Sequence, residues 1–349
     1  MRFLGLFLAT AAGLAVLYTG IARFVDPRGQ FGSGRFPVVE SDARAEKMRL
    51  FRAYAADGEP KGLILGSSRA MKVSPRTLER VTGQRFFNFA VDNARAEDYL
   101  AIYRWVREQG ARPTLLVVGR DVEALHDDDR AEASLLHDPA LMATLGNERP
   151  GERGLLAPFR GSPAVRLVKQ YKATFTIEYL TDMVTAARLL LLPQSRPVPL
   201  MEFEPDGYLR YRRWELERAA GRFRFDQHLE RCLTKSAGRF EAMTQLSGRR
   251  RAYVQELADE ARAEGARVVV WITTLHPLTT RYLEGHTGYA ALLDGTREYL
   301  RSLESEGVAG FDFSRPEAYE GTASGFYDCL HIDESNAERV MAALGPELR

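Results

Sequence analysis

The sequence predicts an α/β protein, a three-layer sandwich in which a five-stranded parallel sheet lies between helices. Short apolar runs, of which residues 114–118 are the clearest, suit strands that are buried on both faces. Amphipathic stretches alternate with these runs; in residues 94–109 the side chains of Tyr99, Tyr103 and Val106 share one side of a helix. Strands that alternate with helices favour parallel pairing through crossover helices.

The predicted elements begin with an amphipathic helix at residues 41–56, whose Met48, Phe51 and Tyr54 are expected to pack on the domain. The first half of the sheet follows it. Its strands are predicted at residues 62–65, 85–89 and 114–118, with helices at residues 75–81 and 94–109 between them.

The same alternation returns in the last third of the chain. Gly265 is expected to end a helix, because glycine readily adopts the left-handed backbone found after helix C-termini. Ser335 is expected to cap the last helix through its hydroxyl. The predicted elements are helices at residues 249–264, 289–303 and 335–344 and strands at residues 267–272 and 308–313.

The first residues form an apolar segment of membrane-spanning length. Residues 3–22 contain no charged side chain and extend roughly 30 Å as a helix, which matches the hydrocarbon core of a bilayer. Arg2 precedes the segment and Arg23 ends it. We expect a single-pass anchor with a cytoplasmic N-terminus and the rest of the chain outside the cytoplasmic membrane. The alternative is a signal peptide that is cleaved after Gly20-Ile21-Ala22.

A long segment of different character separates the two halves of the predicted sheet. We interpret it as a helical insertion that acts as a lid or as a surface for a partner. It includes a basic and aromatic stretch at residues 208–214 and an apolar stretch at residues 179–192. Residues 189–192 either touch the membrane or belong to a buried helix, since the run is too short to span. The predicted organisation is an anchor at 1–24, a juxtamembrane linker and helix at 25–60, an α/β domain at 61–126 and 246–349, and the insertion at 127–245.

The composition narrows the choice of partners. The chain has 48 basic and 47 acidic side chains, so its net charge of +1 gives no reason to expect nucleic acid. The cysteines and histidines lack the spacing of a zinc site, and we expect neither a metal nor another cofactor. Cys232 and Cys329 can form one disulfide, although nothing in their spacing argues for it.

Polar side chains follow the carboxyl end of each predicted strand. Ligands of open α/β sheets bind beyond these ends, so we expect side chains from distant parts of the chain to meet at one edge. Each residue alone is a weak signal, and their joint placement is the stronger one. The residues are Ser68 and Arg69 after the first strand, Asn93 after the second, Asp121 after the third, His276 after the fourth, and Asp328 and His331 after the fifth.

Three of these residues supply the parts of a serine acyl-transfer site. The Ser68 hydroxyl is a poor nucleophile until a base takes its proton. His331 is the expected base, and Asp328 is expected to orient its ring. The structural alternatives are a helix N-cap for Ser68 and a capping pair at the last helix for Asp328 and His331.

The four other residues are candidates for oxyanion or substrate binding. Asn93 is either a donor to an oxyanion or a turn residue. Arg69 is expected to make a structural ion pair rather than to touch substrate, and Asp121 is expected to cap a helix or to pair with an arginine. His276 either lines the pocket or packs at the end of its strand.

These motifs resemble those of the SGNH/GDSL hydrolase-like superfamily. Gly66-Ser67-Ser68 matches its nucleophile motif, and Asp328-Cys329-Leu330-His331 matches its Asp-x-x-His motif. With its apolar N-terminal segment and Asp26-Pro27, the chain looks most like the membrane-anchored bacterial branch. That branch includes the D-alanyl transfer protein of teichoic acid and the alginate O-acetylation proteins. The resemblance covers residues 61–124 and 265–344 and the anchor.

The resemblance implies a flavodoxin-like fold with Ser68 as nucleophile, His331 as base and Asp328 as its orienter. It also implies an acylated glycan or another acyl donor as substrate and an integral membrane acyltransferase as partner. The expected location is the bacterial inner membrane, with the soluble domain on the periplasmic or extracellular side. Two positions depart from the family pattern. Asn93 stands where a glycine is usual, and Asp121 stands where an asparagine donates to the oxyanion, which an ionised aspartate cannot do.

Three functions are consistent with this sequence. The first is an esterase or O-acyltransferase that passes an acyl group through Ser68 to an envelope glycan or to water. The second is a non-catalytic scaffold that binds polysaccharide or a membrane acyltransferase. The third is a lipase-like enzyme that works at the bilayer surface.

Overall fold

The structure divides the chain into two compact units. The predicted α/β domain lies in the second unit, and the predicted insertion is shared between the two. The units are Met1–Glu46 with Arg153–Val198, and Lys47–Glu152 with Pro199–Arg349. The computed structural model describes residues 2–29, 31–39, 43–127, 133–146, 171, 174–192 and 198–348.

The first half of the chain follows the predicted alternation of strands and helices. The third strand runs to Arg120, beyond the predicted end at residue 118. In chain order the described elements are α1 (Arg2–Val25), α2 (Ala43–Ala56), β1 (Gly62–Gly66), α3 (Pro75–Thr82), β2 (Phe86–Asn88), α4 (Ala96–Glu108), β3 (Leu115–Arg120), a 3₁₀ helix (Val122–Leu125), α5 (Ala133–His137), α6 (Pro139–Thr144) and α7 (Ile177–Leu191).

The second half contains every predicted element and several others. The sequence prediction lacks the helix after the fourth sheet strand and a short hairpin within the insertion, whose other described elements are helices. The described elements are β4 (Glu202–Phe203), β5 (Leu209–Arg210), α8 (Arg212–Ala219), α9 (Phe225–Glu241), α10 (Gly248–Ala263), β6 (Arg267–Ile272), α11 (Pro277–His286), α12 (Tyr289–Ser305), β7 (Ala309–Asp312), a 3₁₀ helix (Pro316–Tyr319) and α13 (Glu334–Leu348).

Strands β1, β2, β3, β6 and β7 form one parallel sheet, as predicted. Its order is β2-β1-β3-β6-β7, and each neighbouring pair is parallel. All residues of β1, β2 and β3 are buried, which explains why their sequences are almost continuously apolar. Helix α4 packs against α10, α3 packs against α13, and α12 packs against β7. The carboxyl ends of β1, β3 and β6 therefore open on the same edge.

The hairpin of β4 and β5 lies beside the β2 edge of the sheet. Asn88 N–H donates to Asp206 O at 2.9 Å, and Leu209 N–H donates to Met71 O at 3.2 Å. Gly207 has φ of +80°, and a Cβ there would lie 2.2 Å from Asn88 O. The Asp-Gly pair is thus a tight-turn signal that the sequence analysis missed.

The cap of the last helix differs by two residues from the prediction. Helix α13 begins at Glu334, and the Asp333 carboxylate accepts from Ser335 N–H at 3.0 Å and from Asn336 N–H at 3.3 Å. Ser335 therefore lies inside the first turn. A carboxylate is also favoured at this end by the helix dipole, which explains why Asp333 takes the position.

Helix α1 is the described helix that is long and apolar enough to cross a membrane. The span covers Phe3–Val25, and no residue of its most apolar window is buried. An N-terminal signal sequence has the same length and composition, so both predicted alternatives for this segment stay open.

Candidate active site

The turn after β1 presents Ser68. Gly66 has φ of +150°, and a Cβ there would lie 2.6 Å from Ala70 Cβ and 2.7 Å from Gly119 O, so this position requires glycine. The chain then turns through a hydrogen bond from Ala70 N–H to Ser67 O at 2.9 Å. Ser68 is not a helix N-cap. Helix α3 starts at Pro75, and its cap is Ser74.

A buried asparagine holds this turn from below. The amide of Asn88 donates to Ala70 O at 3.0 Å and to Val73 O at 2.9 Å. Its backbone oxygen in turn accepts from the buried Lys47 Nζ at 2.9 Å. Burial lowers the pKa of Lys47 to about 7, although Asp92 and Asp206 oppose the shift. A polar residue in the apolar run of residues 86–90 was the signal for this role, and the sequence analysis did not use it.

The segment that carries Asp328 and His331 folds back on itself. Tyr327 N–H donates to His331 O at 2.8 Å, and Phe326 and Ile332 form an antiparallel bridge. Asp328 Oδ1 accepts from the backbone N–H groups of Leu330 and His331, each at 2.8 Å. The turn therefore brings the carboxylate alongside the imidazole three residues later.

Ser68, His331 and Asp328 form a continuous chain of hydrogen bonds. Ser68 Oγ lies 2.9 Å from His331 Nε2, although 263 residues separate them in sequence. His331 Nδ1 lies 2.9 Å from Asp328 Oδ2 and 3.0 Å from Oδ1. This is the arrangement in which an imidazole can take a proton from a hydroxyl while a carboxylate stabilises the resulting charge.

The protonation of the pair suits this role. Burial disfavours the charged imidazolium, but the Asp328 carboxylate outweighs it, so the pKa of His331 is raised above its ordinary value of 6.5. Burial likewise opposes ionisation of Asp328, but His331 and the two backbone N–H groups hold the pKa of that carboxyl below its usual range. Asp328 is therefore ionised at neutral pH.

Arg69 and Asp121 belong to a buried polar cluster beside the site. Arg69 pairs with Glu123, donates to Thr273 Oγ1 at 3.3 Å and lies 3.6 Å from Asp121 Oδ1. Thr273 Oγ1 donates to Asp121 Oδ1 at 2.5 Å. The structure thus places Arg69 in an ion pair and Asp121 opposite an arginine, the structural roles that the sequence predicted for them.

Asn93 and His276 occupy different positions around the site. Asn93 is exposed with a left-handed backbone, φ of +49°, and its Oδ1 accepts from Arg239 at 3.1 Å. His276 is buried, and its Nδ1 accepts from Leu278 N–H at 3.2 Å, which makes it the N-cap of α11. The backbone N–H of His276 also donates to Cys329 O at 3.2 Å, so this residue supports the turn that bears Asp328 and His331.

An aromatic wall, formed by three residues of the insertion and by Tyr327, stands beside His331, and the sequence analysis did not assign it to the site. The wall consists of Tyr211, Trp214, Phe223 and Tyr327. Tyr211 lies 5.7 Å from the His331 ring and 5.1 Å from the Tyr327 ring, between ring centroids. Arg218 fixes the wall to the turn, because it donates to Phe326 O at 2.8 Å and lies 4.2 Å from the Tyr327 centroid.

The buried Lys72 links the hairpin to the same turn. Its Nζ donates to Leu209 O at 3.1 Å and pairs with Glu334. Glu334 in turn accepts from the Tyr327 hydroxyl at 2.7 Å. The ammonium also lies 4.7 Å from the Tyr208 ring centroid, a cation–π distance. The segment after residue 199 is therefore built into the wall of the site.

A disulfide joins helix α9 to the turn that bears Asp328 and His331. Cys232 and Cys329 are bonded, with their Cα atoms 5.6 Å apart and a sequence separation of 97. Cys329 directly follows Asp328, and its carbonyl also accepts from Thr279 Oγ1 at 3.0 Å. The bond therefore constrains the backbone between the carboxylate and the imidazole.

Replacing both cysteines by alanine is expected to lower the free energy of unfolding by about 2–5 kcal/mol, because the closed loop is long. Urea unfolding of the detergent-purified chain measures the change. Reductant should lower the midpoint of the wild type and leave that of the Cys232→Ala/Cys329→Ala variant unchanged. Equal midpoints for the oxidised wild type and the variant would contradict a stabilising role.

Neither a metal nor a relative assigns a function to this site. Within the part of the chain that the structure describes, no group of three or more His, Cys, Asp or Glu side chains could hold a metal ion. Comparison with protein-family models, curated proteins and solved structures finds no match. The function is therefore inferred from the geometry of the site.

Proposed function

We propose that the protein is a membrane-anchored serine esterase or O-acyltransferase that acts on a glycan of the cell envelope. The observation that carries this proposal is the hydrogen-bonded chain from Ser68 through His331 to Asp328, with its 2.9 Å contact between hydroxyl and imidazole. The pKa directions of the His–Asp pair support the same roles.

The reaction has two halves. In the first, His331 Nε2 takes the Ser68 proton while Oγ attacks the ester carbonyl, and the imidazolium then protonates the departing alcohol. This leaves an acyl group on Ser68. In the second, His331 takes a proton from water or from a glycan hydroxyl, which attacks the acyl group. The bond from the acyl carbon to Ser68 Oγ breaks, and the imidazolium returns its proton to that oxygen. Asp328 keeps Nδ1 protonated throughout, so that Nε2 faces the serine as an acceptor.

Asn93 is proposed as a donor to the oxyanion. Val91 N–H, beyond the end of β2, donates to Gly66 O at the end of β1 at 3.0 Å, so Asn93 and Ser68 each lie two residues beyond a hydrogen-bonded pair. Because Arg239 holds Asn93 Oδ1, the amide nitrogen is left as the donor. Such a donor typically contributes about 10²–10³-fold to turnover.

The SGNH/GDSL-like, flavodoxin-like fold remains a proposal supported by strand order. The five sheet strands, numbered by their order in the chain, lie in the order 2-1-3-4-5. This is the flavodoxin-like order, in which ligands bind beyond the strand carboxyl ends. Ser68 follows β1, which is first in the chain and second from the β2 edge, next to the point where the strand order reverses.

An extracytoplasmic location is proposed for the α/β unit. Disulfides persist in oxidising compartments such as the bacterial periplasm, and Cys232 and Cys329 form one here. The apolar span of α1 would hold the chain at the membrane. Envelope glycans and their acyl donors would be within reach at that location. An integral membrane acyltransferase is the proposed partner.

A non-catalytic scaffold is the second candidate, and Asp121 favours it. This carboxylate stands where the family has an oxyanion-donating asparagine, and it is engaged by Thr273 and Arg69. A protein without that donor could retain the fold and bind a glycan or a membrane partner through the aromatic wall.

A fluorophosphonate probe distinguishes the two candidates. It bonds covalently to a serine that has been activated by a base. We expect the full chain in detergent to be labelled, Ser68→Ala to abolish labelling, and Ser324→Ala, which removes an exposed serine, to leave it intact. Wild-type protein that stays unlabelled would favour the scaffold. The rates at which the protein hydrolyses acetylated glycans and lipid esters are then compared. Faster hydrolysis of glycan esters favours the envelope activity, and faster hydrolysis of lipid esters favours a lipase-like enzyme.

A further inference from the structure

We propose that helix α7 lies on the lipid bilayer and buries an apolar stripe in it, so that the first unit contacts the membrane through two helices. The stripe consists of Ile177, Leu180, Val184 and Leu191. This inference rests on α1 acting as the membrane anchor and is independent of the chemistry at Ser68. The occupant of the stripe is lipid.

The buried side of α7 packs on the end of α1. Ala22 and Val25 form one hydrophobic cluster with Tyr179, Met183 and Ala186. An ion pair lies beside this cluster, between Arg28 and Asp182 at 2.7 Å. The two helices are therefore held together by apolar and charged contacts within the same unit.

The start of α7 contacts α1 inside its apolar span. Phe175 stacks on Tyr18 with 4.8 Å between ring centroids, and the Tyr18 hydroxyl donates to Thr174 O. The span ends at Val25, so Tyr18 lies about 10 Å of helix before that end. If α1 crosses the bilayer, Phe175 and the first turn of α7 lie beside the membrane-spanning part of α1. They are then within the bilayer and not in bulk water.

The side of α7 that faces away from α1 is apolar and exposed. The exposed fractions are 80% for Ile177, 50% for Leu180, 64% for Val184 and 78% for Leu191. Their spacing of three, four and seven residues puts them on one side of the helix. Arg188 lies on this same side, one turn after Val184, and a long arginine side chain there can extend to the lipid headgroups.

The position of the stripe favours lipid over a protein partner as its occupant. Helix α1, against which α7 packs, also exposes apolar side chains, including Leu14 at 61% and Leu17 at 60%. Aromatic side chains lie around the α1 exit, where tyrosine and related rings are enriched at membrane surfaces. They are Tyr18, Phe24, Phe31, Phe36, Tyr171 and Phe175.

Depth-dependent fluorescence quenching tests the proposal. The two native cysteines are disulfide-bonded, so Val184→Cys in the full chain gives one site for a thiol-reactive nitrobenzoxadiazole probe. The labelled protein is placed in phosphatidylethanolamine and phosphatidylglycerol vesicles with or without nitroxide on the acyl chains. We expect the nitroxide to remove roughly half of the fluorescence, because an interfacial helix lies about 5–10 Å into the boundary between headgroups and acyl chains.

Three further variants make the result specific. Leu180→Cys repeats the test at a second position of the stripe. Leu14→Cys reports α1 and should be quenched by the nitroxide. Leu278→Cys, an exposed leucine of the second unit, should respond to aqueous iodide and not to nitroxide lipid.

Each alternative result overturns the proposal. Quenching of α7 probes by iodide but not by lipid would place the stripe in water. Protection from both quenchers would mean that a second copy or another protein covers it. Absence of lipid quenching at Leu14→Cys would remove the anchor and, with it, the membrane contact of α7.

Discussion

His331→Ala is expected to reduce ester turnover on the order of 10⁶-fold, as expected when the base of a hydroxyl nucleophile is removed. The reason is the single 2.9 Å contact between His331 Nε2 and Ser68 Oγ. Because the two residues act as one unit, Ser68→Ala and the double variant should show losses of similar size. The measurement is kcat/KM for a soluble aryl ester in all three variants.

The matched control is His286→Ala, which removes an exposed histidine that contacts Tyr282 on α11. Its kcat/KM should remain at the wild-type value. If the fold-loss in kcat/KM of the double variant equalled the product of the losses of Ser68→Ala and His331→Ala, a shared step would be contradicted. Independent contributions to kcat/KM multiply in this way. Thermal unfolding of each variant separates lost chemistry from lost folding.

Asp328→Asn is expected to reduce kcat/KM about 10⁴-fold while the turn keeps its shape. The amide oxygen can still accept from the backbone N–H groups of Leu330 and His331, as Asp328 Oδ1 does at 2.8 Å. The amide nitrogen, however, replaces an acceptor with a donor opposite His331 Nδ1. The ring would then carry its proton on Nε2, where it cannot accept the proton of Ser68.

The pH profile gives this variant a signature that general damage would not. In the wild type kcat/KM should fall as pH drops through the pKa of His331, which lies above 6.5 because Asp328 outweighs the effect of burial. In Asp328→Asn that attraction is lost and burial remains, so the acidic limb should move to lower pH. An acidic limb at the same pH in both proteins would contradict the assigned pairing.

The same pair links stability to pH. The folded pKa of His331 is raised, so its pairing stabilises the folded state fully below the unfolded value of 6.5. That contribution is lost as pH rises through the folded pKa. Asp328→Asn should lack this dependence, which urea unfolding at several pH values would reveal.

The sheet was predictable because the burial of each strand imposes an apolar pattern on consecutive residues. A strand that is buried on both faces must be apolar along its length, and residues 115–118 and 268–272 are continuously apolar. Strand ends then indicate where polar residues collect, which is how Ser68, Asp328 and His331 were found. The hairpin and α11 are short, and turn residues such as Gly207 were the main local signals for them.

The structural roles of several residues depended on contacts whose partners no local pattern identifies. Asn88 stabilises the serine turn through three carbonyl oxygens, and Lys72 connects the hairpin to Glu334. Arg218 joins α8 to the turn that bears His331. Each contact joins segments that are far apart in the chain, so it exists only after the sheet and the insertion have packed.

The amino-acid sequence by itself determined the parallel sheet, the apolar N-terminal span and the identity of the three residues proposed for catalysis. Burial and strand geometry impose their patterns on neighbouring residues, and such patterns can be recognised without a structure. Only the tertiary structure decided that Ser68 Oγ meets His331 Nε2, that Cys232 bonds to Cys329 and that aromatic residues of the insertion stand beside the imidazole. These are distances between segments separated by dozens to hundreds of residues, and chain packing alone sets them.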